Sequence, residues 1–374
     1  MARRAKVAFI DCGIHPAFVP DGVGLERLYA DRSGVHVSDA PGEIGHGTHC
    51  FHVFKNHSKA PYDLVDIKVL DTGTGTGYLE ALVVALDWCK DKSIDVINMS
   101  MGTRQFTDFA PLQEAVNALP EGTVIVSACS NTNELTAPAF FGRVAGVRHA
   151  KHGSSITYFQ DAPGGIDFNV STKELNFSLG GAAWVPVHGT NSFAAPVVAA
   201  EIANLVCAGA KNSKEAKQEL ERLTKSLFPP DYLFCKSLFP IWRHIDVPIV
   251  AAQGGMEREL ACLTRLFVDE GYRPICLTDR EGGPEGLFSF RLQVTPGAAL
   301  EEKMQLHFNL ATPDIIFLSL SENELRRQSS KPRIEAYLAM SPDGAAAAKL
   351  WGAQCVIWGL SVNELFNKLI AALS

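Results

Sequence analysis

The feature that most constrains this chain is a repeated order in its first half. Short apolar runs stop abruptly at polar or glycine-rich turns, and helix-patterned segments lie between them. Val7-Ala8-Phe9-Ile10 stops at Asp11-Cys12-Gly13, and Leu64 to Leu70 runs into the glycine-rich loop Asp71 to Gly77. A helical stretch from Tyr78 to Lys90 follows, then the run Asp95 to Ser100, a second helix over Pro111 to Leu119, and the run Thr123 to Ala128. Runs without polar alternation suit strands buried on both faces, and successive parallel strands need a crossover between them. The pattern therefore predicts an α/β fold with a doubly wound, mostly parallel sheet. Asp11, at the end of its run, falls at the carboxyl edge of that sheet, where open α/β sheets collect ligands and catalytic groups.

Beyond this stretch, residues 140–190 are rich in Gly, Ser and Phe and poor in periodicity, which suits short antiparallel pieces and surface loops. An apolar helix is expected from Ser192 to Gly209, with Pro196 near its start, and a charged helix from Asn212 to Ser226. A chain of 374 residues exceeds the usual size of one core. The expected division is a first domain over 1–226, a linker over 227–244 and a smaller α/β domain over 245–374. Within the last of these, strands are expected at Val247 to Ala251, Pro274 to Leu277, Asp314 to Leu320, Ile334 to Ala339 and Gln354 to Gly359. Helices are expected from Glu257 to Glu270 and at the end of the chain.

Composition removes several classes of function. A net charge of -7 offers no basic field for nucleic acid or an anionic membrane, and no apolar stretch is long enough to span a bilayer. The run after Lys6 is too short for a signal-peptide core. Nine cysteines, an odd number without CxxC pairs, point together with that to a reducing cytoplasm.

Four separated segments carry chemistry. Val7 to Ile14 delivers Asp11, and Gly45-His46-Gly47-Thr48-His49-Cys50 places His46 at a helix start. Val124 to Asn131 ends a strand in an amide, and Thr190-Asn191-Ser192-Phe193-Ala194-Ala195-Pro196 places a serine at the amino end of an apolar helix. These segments resemble those of the subtilisin-like serine protease family (subtilases), in the chain order Asp, His, Ser. The resemblance covers about residues 5–210. It implies a triad of Asp11, His46 and Ser192, with His46 as base, Asp11 as its orienter and Ser192 as nucleophile through an acyl-enzyme. Asn131 would be the oxyanion donor, a role worth about 3–4 kcal/mol of barrier. Asn133 is a neighbouring alternative.

The resemblance also implies substrate held as an added strand between the loop containing Gly75 and the edge Ser100-Met101-Gly102, with Ala128 and Ser130 near the pocket. This sequence departs from the family pattern at Cys12, Ser130, Thr190 and Asn191. Cys50 corresponds to the free cysteine that a subset of the family carries beneath the catalytic histidine. The family implies no cofactor in the chemistry.

Rival readings are fewer. His46, His49, Cys50 and His52 share a helix but match no zinc spacing, so no metal is expected. Gly73, Gly75 and Gly77 after a strand suggest a dinucleotide loop, yet the third glycine falls where that fingerprint has none. The segment Val250 to Arg258 is similar to a phosphate loop without its Lys-Ser/Thr ending. A catalytically inactive peptide-binding module and a nucleotide-dependent protein acting through the second domain are the alternatives to a protease. No pro-segment or calcium loop is visible, which motivates the expectation of a dedicated processing protease, one that removes leaders from ribosomally made peptides. Its partners would be a peptide or protein substrate and a partner protein met through the C-terminal domain.

Overall fold

Strand β1 (Ala5–Asp11) is buried along almost its whole length, because it has a parallel neighbour on each side. In this computed structural model β4 (Tyr62–Lys68) pairs along one edge and β5 (Val96–Met99) along the other, so that Phe9 lies opposite both Asp66 and Asn98. The structure describes all residues except 1–2, 40–42, 133, 151–155, 161, 163–165, 172–174, 179–183, 188–189, 227–242, 280–288, 292–299, 322, 324–325, 327–331, 342–344 and 374. The expected linker therefore lies almost wholly outside the described residues, as do Asn133 and the His188-Gly189 lead-in to Ser192. The chain divides into two compact units, one of residues 1–160 and 165–230, the other of 161–164 and 231–374.

The first unit holds a nine-stranded sheet. Its remaining strands are β2 (Leu25–Asp31), β3 (Gly34–Val37), β6 (Val124–Ala128), β7 (Val144–His149), β8 (Ile156–Tyr158) and β9 (Phe168–Val170), in the order β3-β2-β4-β1-β5-β6-β7-β9-β8. All neighbours are parallel except the edge pairs β2–β3 and β8–β9. From β1 the chain winds toward one edge, and from β5 toward the other. The direction reverses between their carboxyl ends, which opens a crevice there.

Helix α1 (His46–His57) follows the hairpin, α2 (Leu79–Cys89) carries β4 over to β5, and α3 (Phe109–Asn117) carries β5 to β6. On α1, Phe51 and Phe54 meet Phe9 edge-on at 5.7 and 5.4 Å. A separate two-stranded antiparallel pair, β10 (Leu175–Ser178) with β11 (Trp184–Val187), precedes α4 (Asn191–Cys207). Helix α4 packs on α1 and across β5, β6 and β7, and is buried on nearly every face. Its run of alanines and valines suits that place, since small side chains let a helix approach a sheet closely. Helix α5 (Ser213–Thr224) closes the unit. Asn212 caps it by accepting from Glu215 N at 2.9 Å, and Glu215 reaches back to Lys211 N at 2.7 Å.

Two parts of this sheet differ from expectation. The hairpin β2–β3 lies in residues read as having no element, because an edge strand such as Leu25 to Asp31 alternates in burial and carries no continuous apolar run. β7 lies in the stretch expected to hold antiparallel pieces, yet it is a buried parallel strand. Gly146 and Arg148 break its apolar run and hide it.

The second unit has six parallel strands in the order β14-β13-β15-β12-β16-β17. These are β12 (Ile249–Ala252), β13 (Pro274–Thr278), β14 (Ser289–Arg291), β15 (Ile315–Ser319), β16 (Ala336–Ala339) and β17 (Cys355–Trp358). Helices α6 (Glu257–Asp269), α7 (Leu300–Ala311), α8 (Ala345–Trp351) and α9 (Val362–Leu373) accompany them. Leu260, Leu263 and Phe267 of α6 share a core with Leu365 and Leu369 of α9 and with Val250, Phe317 and Leu338 of the sheet. The turn from β12 into α6 leads into Glu257 and Glu259, acids in the first helical turn that oppose a phosphate there.

Candidate active site

Asp11 ends β1 with no exposed surface. Cys12 N donates to its Oδ1 at 2.7 Å, and His46 Nδ1 lies 3.0 Å from both carboxylate oxygens. His46 is the first residue of α1, and its neighbours explain how it gets there. A Cβ on Gly47 would stand 2.7 Å from Gly13 O, so only glycine lets the helix start against the turn that follows β1. That turn is pinned from two directions: Ile14 N donates to Asp66 Oδ2 at 3.0 Å and His15 N to Thr48 Oγ1 at 2.9 Å.

With Nδ1 donating to Asp11, Nε2 is the basic nitrogen of His46. Burial works against a charged imidazolium, while the hydrogen bond to Asp11 and its carboxylate charge work for it and hold His46 above its ordinary value. Burial and the Asp11 charge push the Cys12 thiol up to about 11, and burial likewise raises Cys50.

Ser192 is half-buried in the first turn of α4. Cys50 links it to the histidine: its Sγ lies 3.7 Å from His46 Nε2 and 3.8 Å from Nδ1, and it donates to Ser192 O at 3.5 Å. In an unbroken helix that carbonyl would accept from the residue four positions on, which here is Pro196 and has no N–H. The Phe193 ring stands 5.8 Å from the imidazole.

Asn131 is exposed on the turn after β6, and its Oδ1 accepts from Asn191 N at 3.1 Å. With the oxygen committed to the helix, Nδ2 is the donating end. Asn191 itself is buried. Its Oδ1 accepts from His149 N at 2.7 Å and its Nδ2 donates to Ser130 O at 2.8 Å, so one side chain ties α4 to the turns after β6 and β7. Sequence reasoning noted Asn191 only as a departure from the family pattern. The signal it missed was an amide residue just ahead of Ser192 and the apolar run Phe193 to Ala200, on the first turn of a helix that is mostly buried.

The other expected residues are dispersed around these. Ser100 is buried directly after β5, accepts from Asn98 Nδ2 at 3.1 Å and lies beside Cys50. Met101 O accepts from Ser127 Oγ at 3.3 Å. A Cβ on Gly102 would stand 2.5 Å from Ala137 O, which marks a close approach sealed by the Thr103–Ala137 bridge. Ala128 ends β6, and Ser130 N donates to Thr136 Oγ1 at 3.1 Å. Gly75 belongs to the separate loop after β4, with φ +66. There Asp71 Oδ1 accepts from Gly73 N and Thr74 N, so those N–H groups turn inward and are not presented to a phosphate. Among the described residues, the grouping of potential metal ligands is Asp11, His46 and Cys50, and not the helical set of histidines. No helix among the described residues is long and apolar enough to cross a membrane.

Residues 3–227 match the model of the subtilase family. The chain is 29% identical over 221 residues to the major intracellular serine protease of Bacillus subtilis (strain 168), covering 54% of this chain and 68% of that protein. It is 28% identical over 214 residues to subtilisin E of the same organism, covering 52% of this chain and 53% of that protein. A thermostable alkaline protease of Halalkalibacterium halodurans is 29% identical over 204 residues, 52% of this chain and 55% of its own length. The chain thus spans about half the length of the latter two. The crystal structure of a lanthipeptide protease aligns at a TM-score of 0.45 and 18% identity, covering 58% of this chain and 79% of that one.

Proposed function

This chain belongs to the subtilase family, and on that premise we propose that it is a serine endopeptidase acting through Asp11, His46 and Ser192. The observation that carries the proposal is the buried Asp11 carboxylate, held against His46 Nδ1 at 3.0 Å by both oxygens. That contact fixes the tautomer whose Nε2 can take a proton, and Cys50 touches both the imidazole and the Ser192 backbone.

In this mechanism His46 Nε2 takes the hydroxyl proton as Ser192 Oγ attacks the scissile carbonyl. Asp11 stabilises the resulting imidazolium, and the proton passes to the leaving amine. The oxyanion is met by Asn131 Nδ2 and by the amino end of α4, where backbone N–H groups and the helix dipole favour negative charge. Water then repeats the sequence in reverse on the acyl-enzyme. Substrate lies extended along Ser100 to Gly102, with Ala128 and Ser130 beside the residue preceding the scissile bond and Gly75 on the opposite wall.

The biological role we propose is processing inside the cell: removal of a leader or another defined segment from a peptide precursor, with the C-terminal unit selecting the substrate or a partner protein. Two things support it. One matched relative is named an intracellular protease, and a whole α/β unit lies outside the residues that match the family. The test is peptide-library cleavage read by mass spectrometry, alongside labelling by a fluorophosphonate probe, with Ser192→Ala as control. Labelling at Ser192 and cleavage at a narrow set of sites support the proposal. Absence of labelling overturns the protease reading, and broad degradation of denatured casein overturns the processing role.

A further inference from the structure

The geometry points to Asp66 as a positioning residue for His46, acting through the turn that follows β1. Asp66 stands on β4 opposite Phe9 of β1 and Arg27 of β2. Register partners in a parallel sheet share a face, and so do alternate residues of one strand. Asp66 and Asp11 therefore face the side on which Phe9 meets α1. Stability does not account for an acid at this place. Its neighbours Val65 and Ile67 are buried and apolar, its own side chain is 4% exposed, and burial pushes its carboxyl up to about 7. Among the described residues, the buried atoms Asp66 Oδ1 and Arg27 Nε have no hydrogen-bond partner, and Nε lies 4.0 Å from Oδ2. An apolar side chain would suit the strand better. What the carboxylate supplies is Oδ2, which accepts from Ile14 N at 3.0 Å.

That acceptor is needed because of how β1 ends. Gly13 takes φ +97 and turns the chain out of the sheet, so Ile14, 1% exposed, carries a buried N–H that no strand carbonyl receives. Asp66 satisfies it and fixes the turn. From the turn the constraint passes to α1 at two points. Gly13 O stands where a Cβ on Gly47 would be 2.7 Å away, and His15 N donates to Thr48 Oγ1 at 2.9 Å. Gly47 and Thr48 directly follow His46. Asp11 is held differently: its carbonyl accepts from Val69 N at 2.8 Å and from Leu70 N at 3.3 Å, which keeps it with the sheet. Without the Asp66 acceptor, the turn and the start of α1 would shift together while Asp11 stayed, and the contact between Asp11 and His46 Nδ1 would loosen. A misplacement of about 1 Å at a reacting group costs about 10²-fold in rate. The effect on turnover rests on the proposed protease mechanism, whereas the effect on the contact between Asp11 and His46 does not.

Two readouts on the full chain separate these effects. A histidine N–H held by a buried carboxylate gives a proton resonance far downfield, and that of His46 is identified by its loss in His46→Gln. No turnover is needed to see it. Asp66→Ala and Asp66→Leu should broaden or lose the resonance, and Asp66→Asn, which keeps an acceptor for Ile14 N, should retain it. Thr48→Val removes the acceptor at the other end of the turn and should weaken it likewise, which keeps the test decisive if neither apolar Asp66 variant folds. In peptide hydrolysis, with rates expressed per site titrated by a fluorophosphonate, Asp66→Ala and Asp66→Leu should lower kcat at least about tenfold and leave KM within about twofold. Asp66→Asn should come within about threefold of the parent. A folded Asp66→Ala or Asp66→Leu protein with the parent's resonance and kcat, or an Asp66→Asn protein as impaired as Asp66→Ala, overturns the proposal. If the resonance follows this pattern but no peptide is cleaved, the positioning role stands and the protease reading fails.

Discussion

The Cys50 thiol donates to the carbonyl of Ser192 at 3.5 Å, taking the place of the helical hydrogen bond that Pro196 cannot supply. A sulfur on α1, one turn after His46, thereby bonds the first turn of α4, which carries Ser192. Removing it should cost about 1–3 kcal/mol, the loss of a small buried side chain together with an orphaned carbonyl. Urea unfolding of Cys50→Ala should give this directly. In a Pro196→Ala background the carbonyl regains an N–H, so the same change should cost less, and a double-mutant cycle would read the coupling.

Asn131 has its oxygen bound to the first turn of α4 and its amide nitrogen free to donate. Asn131→Ala should lower kcat about 10²- to 10³-fold and leave KM nearly unchanged, since the bond forms in the transition state. Steady-state kinetics on one peptide substrate would decide it. An equal loss in KM would move the residue into ground-state binding.

Asn191 makes its contacts to Ser130, His149 and Asn131 from one buried position. Asn191→Ala should destabilise the protein by about 1–3 kcal/mol by stranding Ser130 O and His149 N. It should also reduce kcat more than KM, because the first turn of α4 loses its side-chain links to the turns after β6 and β7 and keeps only the backbone bond from its N–H to Asn131. Asn191→Asp keeps an acceptor for His149 N and should recover part of the stability but leave the donation to Ser130 O unmade.

Asp66 pairs with Phe9 across β1 and β4, and burial pushes its carboxyl up to about 7 against the hydrogen bond from Ile14 N and the charge of Arg27. The unfolded carboxyl ionises near ~3.9. Between those values the folded chain holds more protons than the unfolded one, so stability falls as pH rises and the loss is complete above about 7. Asp66→Asn keeps an acceptor for Ile14 and should be the more stable form at pH 8 by a few kcal/mol, with the advantage shrinking toward pH 4. Thermal melts at the two pH values check this.

In the second unit His307 is buried on α7, accompanied by Lys303 O at 2.9 Å, and burial pushes its pKa down to about 4. An unfolded imidazole titrates near ~6.5. The stability this gives is full above that value and is lost as pH falls toward 4. His307→Gln should flatten the acid limb of the melting profile for that unit.

Much of this was legible because the relevant signals are local. β1, β4, β5 and β6 are short, mostly buried runs rich in apolar residues, and Asp11, His46 and Ser192 stand at the ends of elements whose starts and stops are written nearby. What escaped depends on partners distant in the chain. β2 needs β4 before its alternating burial means anything, and β7 hides Gly146 and Arg148 between β6 and β9. The place of Cys50 was implied only by resemblance, and its contact with Ser192 O becomes sensible only when α4 lies against α1. Asn191 reads as a helix-start residue until the turns after β6 and β7 converge on it.

Helix α4 is laid across β5, β6 and β7 and against α1, and Arg3 reaches from the start of β1 to Ala210 O, Lys211 O and Asp95 just beyond its far end. A ribosome making this chain releases Asp11 and His46 early and Ser192 late, after most of the strands that its helix must cover. Until that helix has emerged, the sheet has no lid over its apolar face and the emerging polypeptide lacks the proposed nucleophile. Translation itself thus orders the birth of the proposed activity: the last large piece of the first unit's core to be synthesised is also the piece that would arm it, and on that proposal a prematurely released fragment would be unable to cut its neighbours.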